Sequence, residues 1–157
     1  MSDTHAPRID HFAIAGDLFR PMMDQETLLK DSGLEHSLIE LVKLRASQIN
    51  GCAFCINMHW QDAKAHGERD ERLYLLNAWS EASVYSPRER AALAWTEALT
   101  RIETSQAPDA DYAQIAAHFA PREQVALSLL ISAINTWNRI AIGFRMPHAL
   151  PEGAAAA

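Results

Sequence analysis

Two cysteines and a histidine stand close together at Cys52, Cys55 and His59. Residues three and four apart share one face of an α-helix. At about 100° per residue, the three positions fall within an arc of about 60°. Both sulfurs and the imidazole can therefore point into one pocket. A free thiol has a pKa of about 8.5, which leaves only a few per cent thiolate at neutral pH. In the first turn of a helix, Cys52 would be favoured as a thiolate by the helix dipole. His59, four residues beyond Cys55, is placed to hydrogen-bond that thiol or take its proton. Two such thiols one turn apart can cycle. One attacks an oxidant or a disulfide, and the other resolves the adduct into an intramolecular disulfide.

Two other uses of these residues stay open. A zinc ion could take Cys52, Cys55 and His59, with Glu40 or a distant histidine as fourth ligand. The second ligand knuckle that usually accompanies such a run is not visible. The cysteines could also be inert, since a buried thiol packs as a small hydrophobe. A thioredoxin-type use of Cys-x-x-Cys needs a βαβ setting, and nothing in the chain supplies one.

The elements that must position these residues read as helices. The apolar residues at 34, 38, 41, 42 and 49 form a helical stripe over 34–49, and Asn50-Gly51 is a stop signal. A second helix covers 52–66 and ends at Gly67. Asp70 can cap a short helix to about Trp79. Ser86-Pro87-Arg88-Glu89 combines an N-cap serine, a proline at the first helical position and a capping-box glutamate. That helix should run to about Ile102. Pro108-Asp109 opens another to about Phe119, and Pro121 opens the last to about Phe144. No stretch alternates with period two. The fold class is all-α, with about six to seven helices and the Cys-x-x-Cys at the start of a central one. Residues 1 to about 20 read as an extended arm over the surface, and 151–157 as a frayed tail. Val125 to Ile134 is apolar at all but two of ten positions, as in a central helix or one that meets another subunit.

The whole chain, 1–157, is about the length of one domain. It is long enough to bury about 70% of its unfolded surface without disulfides or metal. Lysine plus arginine number 14 and aspartate plus glutamate 20, for a net charge of −6. That balance argues against nucleic acid or an anionic membrane as partner. Hydrophobic residues are 48% and charged residues 22%, which excludes bulk disorder. No uninterrupted apolar run reaches the roughly 18 residues of a membrane span. The opening MSDTHAPRIDHF has no signal-peptide core, so the expected compartment is the cytoplasm. There a close cysteine pair is catalytic or metal-binding more often than structural.

Glu40-Leu-Val-Lys-Leu-Arg-Ala-Ser-Gln-Ile-Asn-Gly-Cys52-Ala-Phe-Cys55-Ile-Asn-Met-His59 closely resembles the core motif of the AhpD-like alkylhydroperoxidase family, within the carboxymuconolactone decarboxylase superfamily. The pattern is a glutamate, then Cys-x-x-Cys twelve residues on, then a histidine four further. The resemblance covers about residues 35–145, through His66-Gly67, Glu71-Arg72-Leu73, the helix from Ser86 and Asn135-Thr-Trp137-Asn138-Arg139. It implies a single AhpD-like helical domain assembled as a trimer or hexamer. It implies a thiol peroxidase or disulfide oxidoreductase with no cofactor and no bound metal. Cys55 would attack a small hydroperoxide, Cys52 would resolve the sulfenic acid, and Glu40 and His59 would relay protons. A dithiol protein or small thiol would restore the pair. The runner-up is a non-enzymatic redox sensor or assembly module switched by a Cys52–Cys55 disulfide.

Twelve residues of unbroken helix span about 18 Å, so Glu40 can reach the site only if the chain reverses, and Asn50-Gly51 is the place for it. Without the resemblance, Glu40 would read as a surface acid beside Lys43 and Arg45. The sequence departs from the best-studied type of the family at Phe54, where that type has a histidine. A relay through that position is missing, and a more apolar pocket would raise a thiol pKa. The decarboxylase branch lacks the cysteine pair, so decarboxylation is disfavoured. His66 reads as a helix C-terminal residue, Trp137 as core and Arg139 as an ion-pair partner at an interface.

Overall fold

A computed structural model describes residues 6–148. Among the described residues there are eight α-helices and one 3₁₀ turn, with no strand. The helices are α1 (His11–Lys30), α2 (His36–Asn50), α3 (Ala53–Ala65), α4 (Asp70–Tyr74), α5 (Pro87–Thr100), α6 (Ile102–Ser105), α7 (Asp109–His118) and α8 (Pro121–Phe144). The 3₁₀ turn, Leu76–Ala78, follows α4. The all-α class stands, and five of the six expected helices lie within a few residues of their expected bounds, while the one expected from Asp70 to about Trp79 splits into α4 and the 3₁₀ turn. The single turn α6 is an addition, and Asp70 opens α4 rather than capping it, the N-cap being Arg69.

The expectation of an extended arm over residues 1–20 is wrong from His11 onward. Asp10 caps α1 by accepting a hydrogen bond from the Ala13 N–H at 3.0 Å. Periodicity hid the helix for two reasons. Its backbone is non-helical at Ala15, and Pro21 inside it reads as a helix breaker. Tertiary contacts hold it against α8 instead. The His11 ring stacks on Phe144 at 4.8 Å and Phe19 on Trp137 at 6.0 Å. Arg8 donates to the carbonyls of Phe144 and Gly143. The expected frayed tail, 151–157, lies outside the described residues.

The core is a layer of α2, α5 and α8. Leu38, Ile39 and Val42 of α2 meet Ala91, Ala92 and Trp95 of α5 and Leu127, Leu130 and Ile131 of α8. α8 is the one described helix long and apolar enough to cross a membrane by length and composition, because its hydropathy stays high when averaged over 18 residues. Half of that window is buried inside the fold, as in a core helix. Val125, Leu129 and Ile142 on its outer side are exposed.

Local signals set the frame around this core. Ser86 accepts from the Glu89 N–H, and the Glu89 carboxylate accepts from the Ser86 N–H, completing the expected capping box. Glu89 also pairs with Arg72, which is held by Glu68 as well. Burial pushes the Glu89 carboxyl up, but its bonds from Arg72 and Ser86 outweigh that and hold it below its usual range. Burial pushes the nearby Tyr85 hydroxyl up to about 12, and it donates to the Arg72 carbonyl.

Two substitutions should separate core from cap in urea unfolding. Leu127 is fully buried, so Leu127→Ala should cost about 2–5 kcal/mol through the cavity it leaves. Ser86→Ala removes one cap acceptor and should cost about 1 kcal/mol.

Candidate functional site

The site is built on a helical hairpin. Gly51 ends α2 at φ +70°, a left-handed value that a Cβ would penalise, and its N–H closes onto the α2 carbonyls. The chain reverses there, and α3 packs back along α2. Cys52 is the N-cap of α3, and its sulfur accepts from the Cys55 N–H at 3.3 Å. Helix N-termini favour negative charge, so a thiolate at Cys52 would sit where backbone N–H groups stabilise it. Cys52 and Cys55 are joined as a disulfide, with Cα atoms 5.3 Å apart, and both are buried.

The reversal puts Glu40 beside His59. The His59 Nδ1 lies 2.9 Å from Glu40 Oε2, and both residues are at least 95% buried. Burial pushes the Glu40 carboxyl up. The hydrogen bond from His59, and the positive charge of His59, Lys43 and His36, outweigh burial and hold it below its usual 4.5. With Nδ1–H donating to the Glu40 carboxylate, Nε2 is the ring nitrogen left to take a proton. That Nε2 is buried and has no hydrogen-bond partner among the described residues.

A cavity of about 350 Å³ opens on this group. Cys55, Glu40 and His59 line it, and Cys52 does not. Its other walls are mostly apolar, with Phe12 and Met23 of α1, Phe54 and Met58 of α3, and Ile134, Trp137 and Met146. Phe54 is half-buried in that wall. All four residues expected at the site, Glu40, Cys52, Cys55 and His59, thus meet at one place.

Other residues there were not legible as a group. Asn50 donates to the side-chain oxygens of Asn135 and Asn138, and Asn138 donates to Ser47 Oγ at 3.0 Å. The Ser47 carbonyl holds the Cys52 N–H at 3.0 Å. This buried chain of amides ties α8 to the turn that carries the cysteines. Lys43 is buried and paired with Glu26 from α1 at 2.5 Å, and Trp137 donates to the same carboxylate. His36 Nε2 lies 3.9 Å from Glu40 Oε1, and its ring stacks on His66 at 3.8 Å. The i, i+4 spacing of His36 and Glu40 was the available signal. His66 caps α3 as expected, while Trp137 is half-buried at the cavity. Arg139 donates to the Asn135 carbonyl, with no carboxylate partner among the described residues.

With the two sulfurs bonded to each other, the group of donors placed for a cation among the described residues is Glu40, His59 and Asp62. Their ligand atoms lie within 4.8 Å of one another. The four-ligand zinc arrangement with both cysteines would need the dithiol form.

Residues 16–98 match the sequence model of the carboxymuconolactone decarboxylase family. The chain is 44% identical over 135 residues to the uncharacterized protein YdfG of Bacillus subtilis, spanning 86% of this chain and 92% of that one. A protein of unknown function from Agrobacterium tumefaciens, provisionally described as the antioxidant defence protein AhpD, has a closely similar structure. Its TM-score is 0.90 at 42% identity, over 93% of this chain and all of that one. A peroxidase-related protein with an AhpD core from Ralstonia eutropha shares the fold at TM-score 0.77 and 20% identity, over 88% and 74% of the two chains.

The Glu40–His59 pair has a signature in acid. A carboxyl whose folded value is depressed contributes stability that is fully present above its unfolded value of about 4.5 and is lost as pH falls through the folded value. Glu40→Gln should therefore lower stability at neutral pH by about 1–2 kcal/mol. Its deficit should shrink as pH drops below about 4.5, as read from thermal midpoints of the two proteins across that range.

Proposed function

Because the chain belongs to the carboxymuconolactone decarboxylase family, in its AhpD-like group, we propose that it is a thiol-dependent peroxidase and disulfide oxidoreductase working through Cys52 and Cys55. The observation that carries this reading is the cavity over Cys55, with a buried carboxylate–imidazole pair beside it and a free imidazole nitrogen.

In the reduced protein, His59 Nε2 takes the Cys55 proton, while Glu40 orients the ring and stabilises the imidazolium. The Cys55 thiolate attacks the outer oxygen of a hydroperoxide. The O–O bond breaks, Cys55 becomes a sulfenic acid, and the alkoxide takes the proton from His59 to leave as an alcohol. The Cys52 sulfur then displaces hydroxide from Cys55, which leaves as water, and the disulfide forms. A dithiol reverses this. Its thiolate attacks Cys55, the sulfur that faces the cavity, and Cys52 leaves as a thiolate into the N-cap position. Its second thiol closes its own disulfide and frees Cys55. The apolar walls favour an organic hydroperoxide over hydrogen peroxide. No step calls for a cofactor. The exposed Val125, Leu129 and Ile142 on α8 fit the reading that copies of the chain associate, as a trimer or hexamer. A cytoplasmic setting, where dithiol reductants are at hand, is part of the same proposal.

The test is to react reduced protein with one equivalent of tert-butyl hydroperoxide and follow intact mass and free thiols. Rapid loss of both thiols with a mass decrease of two hydrogens is expected. Cys55→Ser should abolish it, and Cys52→Ser should accumulate a sulfenic acid that dimedone traps. Stoichiometric oxidation with no re-reduction by any dithiol would favour the sensor reading. Full activity in Cys55→Ser would overturn the order of attack.

A further inference from the structure

Four residues of the cavity wall, Phe12, Met23, Glu26 and Lys30, come from α1. This helix buries little for its 20 residues. It buries only His11 and Leu29, while Ile14, Leu18, Met23 and Leu28 are exposed. Elements with few buried apolar contacts open at the lowest free energy. The helix is also interrupted near its start, since Ala15 is non-helical at φ −141° and ψ +38°, and Pro21 follows six residues later with no N–H to donate. The N-terminal part is held by ring stacking on α8. The part beyond Pro21, which supplies Met23, Glu26 and Lys30 to the cavity wall, is anchored at its end by Leu29 in the core and, at the cavity itself, by a carboxylate. Glu26 Oε2 accepts from Lys43 Nζ of α2 at 2.5 Å, and Oε1 accepts from Trp137 Nε1 of α8 at 3.0 Å. Both oxygens are thus used, one on each helix behind the cavity. Lys43 is only 5% exposed, so its charge-assisted bond to Glu26 is shielded from solvent.

We propose that α1 is a movable cover over the Cys55 cavity and that Glu26 is the residue that fastens it, so that Glu26 sets how large a reactant reaches the Cys55 sulfur. A small hydroperoxide enters with the cover down. A bulky partner such as a dithiol carried on a protein needs the Glu26 bonds to open. The inference rests on Cys55 being the sulfur that reactants meet. It does not depend on peroxide turnover, and its test reads access alone.

The test uses the full chain with Cys52→Ser, which leaves Cys55 as the one thiol. Its alkylation rate is measured with N-ethylmaleimide and with the much larger fluorescein-5-maleimide. Adding Glu26→Ala should raise the rate with the large reagent about tenfold, since a lost charge-assisted bond is worth about that factor. The rate with the small reagent should rise less than about threefold, because it needs no full opening. Glu26→Gln, which keeps an acceptor for Trp137 but loses the ion pair, should fall between. Hydrogen exchange should rise in α1 and not in α2, α3 or α8, which general destabilisation would also raise. Equal acceleration of both reagents, no acceleration, or loss of protection throughout the chain would overturn the proposal. If Glu26→Ala does not fold, Trp137→Phe removes one of the two bonds. It should show the same size ordering more weakly, and an unchanged ratio of rates would overturn the proposal.

Discussion

A carboxylate stays ionised inside a protein only when partners replace the water it loses. Glu40 is such a carboxylate, and its partners decide much of the architecture. Within α2, His36 stands 3.9 Å from Glu40, too far for a hydrogen bond, so the partner that bonds the carboxylate, His59, comes from a second helix. That second helix must run back along the first, so the chain has to reverse within the few residues after Asn50. Gly51 supplies the left-handed backbone for it. Once the reversal is made, the next residue is the N-cap of α3, and that residue is Cys52. The buried acid–imidazole pair and the N-cap cysteine are thus two consequences of one turn.

The remaining helices serve this hairpin. α8 lays its apolar side against α2 and extends a run of amides, Asn135 and Asn138, to Asn50 and Ser47 at the turn. Buried amides of this kind are costly unless every partner is met, so they hold the turn in one register. Lys43 extends the charge pattern one helical turn from Glu40 and is met by Glu26. The interior then holds alternating charges, carboxylate, ammonium, carboxylate and imidazole, beside an otherwise apolar cavity. The same Glu26 brings in α1, so that helix is tied to the site by a polar contact as well as to the core by Leu29.

The helical class was legible because helix starts and stops are local. The box at Ser86 to Glu89, the stop at Asn50-Gly51 and the proline at 121 each act through backbone atoms a few residues away. α2 was legible from its apolar residues and its stop signal, although the fold buries it on every side from Leu38 to Ser47. α1 was not, because Pro21 inside it reads as a breaker and its backbone is broken at Ala15. What holds it, the rings of Phe144 and Trp137 and the ammonium of Lys43, lies far along the chain. Periodicity carries no trace of partners at that distance.

The same division runs through the site. By itself the sequence determined that Cys52, Cys55 and His59 share a helix face, since that follows from 3.6 residues per turn. It also determined that the chain turns at Gly51 and that the described residues form helices and no strand. Glu40 entered through a motif resemblance, since spacing alone left it a surface acid. Only the tertiary structure decided that Glu40 is buried on His59, that Cys55 rather than Cys52 faces the cavity, and that Lys43, Glu26 and Asn138 belong to the same neighbourhood. Those are facts about helix packing and solvent exclusion. They arise between segments as many as 111 residues apart, as from Glu26 to Trp137, where no local rule of backbone or pattern reaches.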